Sequence, residues 1–242
     1  VDASGNAATQ AAELTVHGAA FGEEGIALQD DVRHLLDPAV REAAVVGRPH
    51  ERLGEAVQNC LIVVEGLYSV LGDCAPLEPI VELKERFGAT LLVDEAHSLG
   101  VLGANGRGLA EEADVEAGVD FVVGTFSKSL GAIGGFCVSN HPELNLVRYA
   151  SRPYVFTASS SPSVIASTRK ALEIMQTRSE LRQRLWDNAH TLYKKLKDLG
   201  FLVGPEPSPI IAVRLEDKAE AFALWNGLLE QGVYVNLMLP PA

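Results

Sequence analysis

Residues 91–136 read LLVDEAHSLGVLGANGRGLAEEADVEAGVDFVVGTFSKSLGAIGGF, and two short apolar runs with the length and composition of strands fall at 90–93 and 120–123. Each run ends in side chains that a plain core would reject. The first leads into Asp94, Glu95, Ala96 and His97, the second into Gly124, Thr125, Phe126, Ser127 and Lys128. Open α/β sheets bind ligands at the carboxyl ends of their strands, so an acid, an imidazole and an amine at two such ends are placed to converge on one crevice.

Working outward, residues 60–64 (CLIVV) form a continuous apolar run, the pattern of a parallel strand buried on both faces. This run also ends in polar residues, Glu65 and Ser69. Residues 76–87 set Leu77, Ile80, Val81 and Leu83 among charges, an amphipathic helix stopped by Gly88. Strand, helix and strand in that order predict a βαβ unit with a right-handed crossover. Gly100, Gly103, Gly106 and Gly108 then predict a tight surface loop, because glycine takes positive φ cheaply. Gly131, Gly134 and Gly135 lead into a short fourth strand at 136–138.

Residues 149–163 read as a polar loop carrying aromatics, followed by helices over 162–178 and 181–199. The second helix sets Leu185, Ala189, Leu192, Leu196 and Leu199 on one face. A strand at 210–214, a helix at 218–231 and a strand at 233–237 follow. Upstream, a helix opened by Asp37 and Pro38, a strand at 43–46 and a loop with Gly47, Pro49 and His50 predict a small αβ unit. The alternation divides the chain into an unassigned segment at 1–57, a large α/β domain at 58–178 and a smaller α/β domain at 179–242.

With 242 residues, 47% of them hydrophobic, the chain can bury a sizeable core. Its 20 basic and 32 acidic residues give a formal charge of −12, which argues against nucleic acid or an anionic membrane as a main partner. Cys60, Cys74 and Cys137 lack metal-ligand spacing and read as reduced thiols, which fits a cytoplasmic location and gives no reason to expect a metal. No apolar run approaches the ~20 residues of a transmembrane helix. The chain opens on Val1 without a signal pattern and is expected to be a piece of a longer protein.

Chemistry narrows the reading further. Lysine is among the least buried residue types, so Lys128 beside Phe126 and Leu130 needs either a solvated loop or a function. A buried lysine with a depressed pKa can form a Schiff base with an aldehyde. Asp94 could simply cap a turn, but a carboxylate aimed at a pyridine nitrogen makes pyridoxal 5'-phosphate an electron sink. His97 could bond the phenolic oxygen of that cofactor, and Thr125 and Ser127 offer hydroxyls to its phosphate. Each signal is weak alone; their order and their shared place at strand ends favour the cofactor.

DEAHSLGVLGANGRG followed by GTFSKSLGAIGGF resembles the α-oxoamine synthases, and GTFSKS, GGFCVSNHPE and RPYVFTAS are most similar to the serine palmitoyltransferases among them. The resemblance covers roughly 61–242. It implies the PLP-dependent transferase fold of type I, like that of aspartate aminotransferase, with a partial large domain built on a mostly parallel sheet and a partial α/β C-terminal domain. It further implies decarboxylating condensation of a serine-like amino acid with an acyl-CoA or other acyl thioester, giving a 3-keto amine for sphingolipid biosynthesis.

The resemblance also assigns roles. Lys128 would hold the cofactor and act as base at the amino acid Cα. Asp94 would pair with the pyridinium. His97 and Ser69 would sit near the phenolic oxygen and the substrate carboxylate. Thr125 and Ser127 would lie near the cofactor, and Thr157 would reach the phosphate in the other subunit's site, which implies a homodimer.

Departures from the pattern keep other readings open. The family's glycine-containing phosphate segment and stacking ring have no clear counterpart in 1–60, where His17 is the only candidate ring named. Leu239 stands where those synthases often have arginine, and the family's following strand lies beyond Ala242. Residues 37–57 are instead similar to the C-terminal subdomain of adenylate-forming acyl ligases. The alternatives are an inactive partner that serves as a scaffold, an aminotransferase, or an 8-amino-7-oxononanoate synthase.

Overall fold

The computed structural model describes residues 60–239 together with the backbone of three upstream strands, β1 (Thr15–Gly18), β2 (Gly25–Ile26) and β3 (Val45–Val46). The helix expected from Asp37, the loop with His50 and the side chain of His17 lie outside the described residues. So does most of the segment compared with acyl ligases. The strand expected at 43–46 is present as the two residues of β3, paired antiparallel with β2.

A five-stranded sheet in the order β1-β4-β5-β6-β7 organises the described chain. Its centre is parallel: β4 (Cys60–Glu65) pairs with β5 (Thr90–Asp94), and β5 with β6 (Phe121–Thr125). Antiparallel strands flank it, β1 against β4 and β7 (Gly135–Ser139) against β6. Helix α1 (Leu77–Phe87) links β4 to β5 and ends at Gly88, whose φ of 62° is the left-handed conformation that glycine tolerates best. Strand, helix and strand therefore form where the apolar pattern predicts them.

The core follows from strand alternation. Ile62 and Val64 of β4 and Leu91 and Val93 of β5 point to one face, where Leu77 and Ile80 of α1 meet them. Leu91 and Val93 are wholly inaccessible, which is worth roughly 1.5–3 kcal/mol for each side chain. Burial on both faces was expected for β4, but Leu61 and Val63 are only half-buried. Among the described residues, the core lies on one face of the sheet.

Asp120 ties the start of β6 to two neighbours. Its carboxylate accepts the Leu91 N–H at 2.7 Å and the Lys84 ammonium at 3.1 Å, and it meets His141 Nε2 at 3.0 Å. Burial pushes its pKa up, but the bonds from His141, Leu91 and Lys84 outweigh that and hold it below the usual aspartate value.

The link from β5 to β6 runs through the glycine-rich turn, a short helix α2 (Leu109–Glu112) and a 3₁₀ turn (Glu116–Gly118). After β7 come α3 (Leu144–Ala150) and α4 (Arg152–Val155), so part of the expected aromatic loop is helical. Helix α5 (Pro162–Thr177) starts at Ser161, whose hydroxyl accepts from the Val164 N–H, and α6 (Ser179–Asp198) follows. Of the apolar face expected on α6, Ala189 is buried and Leu196 half-buried, but Leu185, Leu192 and Leu199 are exposed, and Tyr193 is buried instead. The packed face is set by polar anchors. Trp186 donates to the Val101 carbonyl at 2.9 Å, Arg182 to the Ala104 carbonyl at 2.5 Å, and Tyr193 to the Gly204 carbonyl at 2.8 Å.

Helix α7 (Lys218–Glu230) forms as expected, capped by Asp217. The strands expected at 210–214 and 233–237 do not form. A strand needs a neighbour for its backbone groups, and among the described residues the first stretch finds only an isolated bridge between Leu202 and Arg214. The second is exposed at Val233 and Tyr234, and its Val235 carbonyl accepts from Trp225 Nε1 instead.

Candidate functional site

Because β4, β5 and β6 are parallel, their carboxyl ends lie along one edge of the sheet. Register places Glu65 of β4 beside Asp94 of β5, and Asp94 beside Val123 of β6, so Thr125 emerges just past that line. Asp94 is half-buried, and its Oδ1 accepts the Ala96 N–H at 2.8 Å, which turns the chain away from the sheet.

Glu95 points the opposite way and is 1% exposed. Its carboxylate accepts the Leu109 N–H at 3.0 Å, the Ala110 N–H at 2.9 Å and the Ser98 hydroxyl. It thereby satisfies two orphan donors at the start of α2 and fastens the glycine-rich turn to the end of β5. Burial drives its pKa up against those three hydrogen bonds. Gly108, at φ 120°, fits the tight approach: a β-carbon there would collide with the Glu95 carboxylate. The Glu95 anchor sets where His97 stands two residues later.

On β6 the chain leaves the sheet in a second fixed turn. Thr125 Oγ1 lies 2.8 Å from Ser127 Oγ and 3.2 Å from the Gly134 carbonyl, and it accepts the Ser127 N–H at 3.2 Å. The Ala132 N–H donates to the Phe126 carbonyl at 2.7 Å and the Gly131 N–H to the Lys128 carbonyl at 3.0 Å, which closes the loop that carries Lys128. Phe126 stacks on Phe136 at 5.8 Å and braces that loop from β7.

The two turns bring Lys128 Nζ to 3.1 Å from His97 Nδ1, and His97 Nδ1 lies 3.6 Å from Glu65 Oε2. Burial and then the Lys128 charge lower the His97 pKa from its ordinary 6.5, against Glu65 and Asp94, so the imidazole is neutral at pH 7. Lys128 itself is exposed, so of the two readings the sequence leaves open, a solvated loop and a buried amine, the described residues show the first.

An open cleft of about 430 Å³ borders His97, Lys128, Ser129, Gly100, Arg182 and Leu185. A larger groove of about 640 Å³ runs along α5 past Thr168 and Glu173, but it contains none of the strand-end acid, imidazole or amine. The smaller cleft is lined by the imidazole and the amine, though not by Asp94, Thr125 or Ser127, and is the better candidate of the two.

Of the residues singled out in the sequence, Asp94, His97, Thr125, Ser127 and Lys128 gather at this edge. Ser69 lies in the exposed turn after β4 and Thr157 in the exposed segment after α4, and neither is hydrogen-bonded to the cluster. Glu65 and Glu95 were not given roles from sequence. The signals for them were the parallel register, which sets Glu65 beside Asp94, and strand alternation, which turns Glu95 inward when Asp94 faces the ligand edge. The cluster suits pyridoxal 5'-phosphate in its donor set: a carboxylate, an imidazole, two hydroxyls and a primary amine at adjacent strand ends.

Comparisons with known proteins bear on the family and the fold. A serine palmitoyltransferase of Caulobacter vibrioides is 60% identical over 191 residues, 79% of this chain and 47% of that protein. A solved serine palmitoyltransferase from S. paucimobilis, with a bound PLP-myriocin aldimine, superposes with a TM-score of 0.71 at 52% identity, covering 73% of this chain and 46% of that one. An 8-amino-7-oxononanoate synthase of Alkaliphilus metalliredigens is 39% identical over 184 residues, 76% of this chain and 47% of that protein. The chain thus spans about half the length of the curated relatives it matches. The family model for aminotransferase class I and II matches residues 39–240, well over half of the chain, and the protein belongs to that family, with its PLP-dependent transferase fold.

Proposed function

We propose that the protein is a PLP-dependent acyltransferase, or part of one, that condenses a serine-like amino acid with an acyl-CoA or other acyl thioester and releases carbon dioxide. The observation that carries this reading is the approach of Lys128 to His97, at 3.1 Å, beside Asp94 at the ends of two parallel strands. The identities of 60% and 52% to two serine palmitoyltransferases, against 41% to an 8-amino-7-oxononanoate synthase, support a serine-like substrate.

Lys128 would hold the cofactor through its aldehyde, Asp94 would face the pyridine nitrogen, and Thr125 and Ser127 would face its polar groups. When bound, the cofactor supplies the electron sink that acidifies the amino acid Cα–H and accepts the electron pair left by carbon dioxide. Once the incoming amino group displaces it from the aldehyde, Lys128 would be a free amine placed to take the proton from Cα. Cα then bonds to the acyl carbon as the C–S bond breaks, and the thiolate leaves to take a proton from solvent. The carboxylate departs as carbon dioxide, and the Lys128 ammonium returns a proton to Cα. His97, neutral at pH 7, offers one ring nitrogen as donor and the other as acceptor, which suits it to orient a substrate carboxylate together with Ser69.

The protein acts as a homodimer, with Thr157 reaching the partner's site. Supporting this, Thr157 follows Phe156, 85% exposed, in a region that also exposes Tyr149 and Tyr154. Its location is cytoplasmic and its product feeds sphingolipid biosynthesis; no helix among the described residues is long and apolar enough to cross a membrane. The chain divides near Ser179 into the end of the large domain and the start of a smaller one.

The test is thiol release from an acyl-CoA in the presence of PLP and serine, matched to carbon dioxide release. Equal amounts of both, lost in Lys128→Ala, are expected. Carbon dioxide or amino transfer without thiol release would refute the condensation.

A further inference from the structure

At the strand-end cluster one imidazole nitrogen has two possible partners. His97 Nδ1 lies 3.1 Å from Lys128 Nζ and 3.6 Å from Glu65 Oε2. It can accept a proton from the amine or donate one to the carboxylate, but a neutral ring cannot do both with the same nitrogen. The Glu65 side chain is partly exposed, but its Oε2 is buried and, among the described residues, has no hydrogen bond. Such an oxygen has given up water without replacing it, a state that costs free energy until a donor arrives. The pairing of β4 with β5 fixes the Glu65 backbone opposite Asp94, so the carboxylate is held beside the imidazole by the sheet itself. The charges facing His97 are Lys128, Glu65 and Asp94, and Asp73 in turn faces Glu65.

We propose that Glu65 is a positioning residue for His97: it receives the Nδ1–H whenever Lys128 withdraws from that nitrogen, so the His97 tautomer reports whether Lys128 is engaged elsewhere. With Lys128 as an ammonium beside it, Nδ1 is an acceptor and Nε2 carries the ring proton. Once the amine is committed to an aldehyde, Nδ1 turns donor toward Glu65 and Nε2 becomes the acceptor. The proton leaves Nε2 and another joins Nδ1 by exchange with water, so the ring stays neutral throughout. Identifying the event that withdraws Lys128 as cofactor capture rests on the proposed function. The Glu65–His97 coupling itself does not.

The test uses the full chain without cofactor and ring ¹⁵N NMR of its histidines, with His97→Gln to assign the signals. In the parent, Nδ1 should resonate in the unprotonated range. In Lys128→Ala it should move to the protonated range, and adding Glu65→Ala to that variant should reverse the move. Glu65→Gln in the same background keeps a carbonyl acceptor and should preserve the protonated Nδ1, which guards against loss of the signal through misfolding. An unprotonated Nδ1 in Lys128→Ala, or a protonated one that survives Glu65→Ala, would overturn the proposal. Because the readout needs no cofactor, its failure is separable from failure to bind PLP.

Discussion

Removing the Glu95 carboxylate should loosen the whole strand-end cluster, and two substitutions separate the reasons. In Glu95→Ala the N–H groups of Leu109 and Ala110 and the Ser98 hydroxyl lose their acceptor in a place that is 1% exposed. Each buried unsatisfied group costs about 1–3 kcal/mol, and the residual cavity admits some water, so the net loss should be about 4 kcal/mol. At about 2–4 °C per kcal/mol for a chain of this size, the melting temperature should fall by about 8–16 °C. Glu95→Gln keeps one acceptor but sets an amide NH₂ against one of the two backbone donors, and it also relieves the buried charge. Its loss at pH 7 should be smaller, about 1–2 kcal/mol.

The pH dependence provides the sign. Burial raises the folded pKa of Glu95 above its unfolded value of 4.5, so its contribution to stability is fully present below 4.5 and is lost as pH rises through the folded value. Urea unfolding of the parent and Glu95→Gln at a series of pH values should therefore show the parent's advantage shrinking toward neutrality. An advantage that widens between pH 4 and 7 would mean that hydrogen bonding outweighs burial at this carboxylate, and the electrostatic argument would be wrong.

Two other perturbations probe separate parts of the fold. Asp120→Asn should cost about 2–3 kcal/mol by weakening the bonds from Leu91, Lys84 and His141, read by denaturant midpoint. The folded pKa of Asp120 lies below its unfolded 3.8, so its contribution should be complete above 3.8 and vanish as pH falls through the folded value, leaving parent and variant alike in strong acid. Desolvation pushes the thiol of half-buried Cys60 up to about 11, and desolvation with Glu112, Asp73 and Glu95 nearby does the same for Cys74, although Cys74 still reaches the surface. Only about one in a thousand of these thiols is thiolate at pH 8, so iodoacetamide labelling followed by mass spectrometry should be slow there and quicken about tenfold per pH unit.

Much of the site was legible in the sequence because parallel strands align their carboxyl ends by construction. Once 90–93 and 120–123 are strands, Asp94 and Lys128 must share an edge, and only their separation awaits the coordinates. Less legible were features that depend on distant partners. Alternation could turn Glu95 inward, but only the folded loop reveals Leu109 and Ala110 as its donors. The α6 stripe misled for a related reason: Trp186, Arg182 and Tyr193 find carbonyls on other segments, and those bonds rotate the helix away from its leucines. The run at 210–214 has the composition of a strand, yet a strand is a relation between two segments, and among the described residues the only bridge it makes is to Leu202. The sequence left Lys128 open between a solvated loop and a buried amine, and the fold exposes it, with Phe126 stacked on Phe136.

The most direct test is the visible absorption of the full chain after addition of pyridoxal 5'-phosphate, compared with Lys128→Ala. A protein-bound band that appears in the parent, survives removal of free cofactor and is absent from the variant is the predicted result. No band in the parent, or an equal band in Lys128→Ala, would contradict the assignment of the strand-end cluster as the cofactor site.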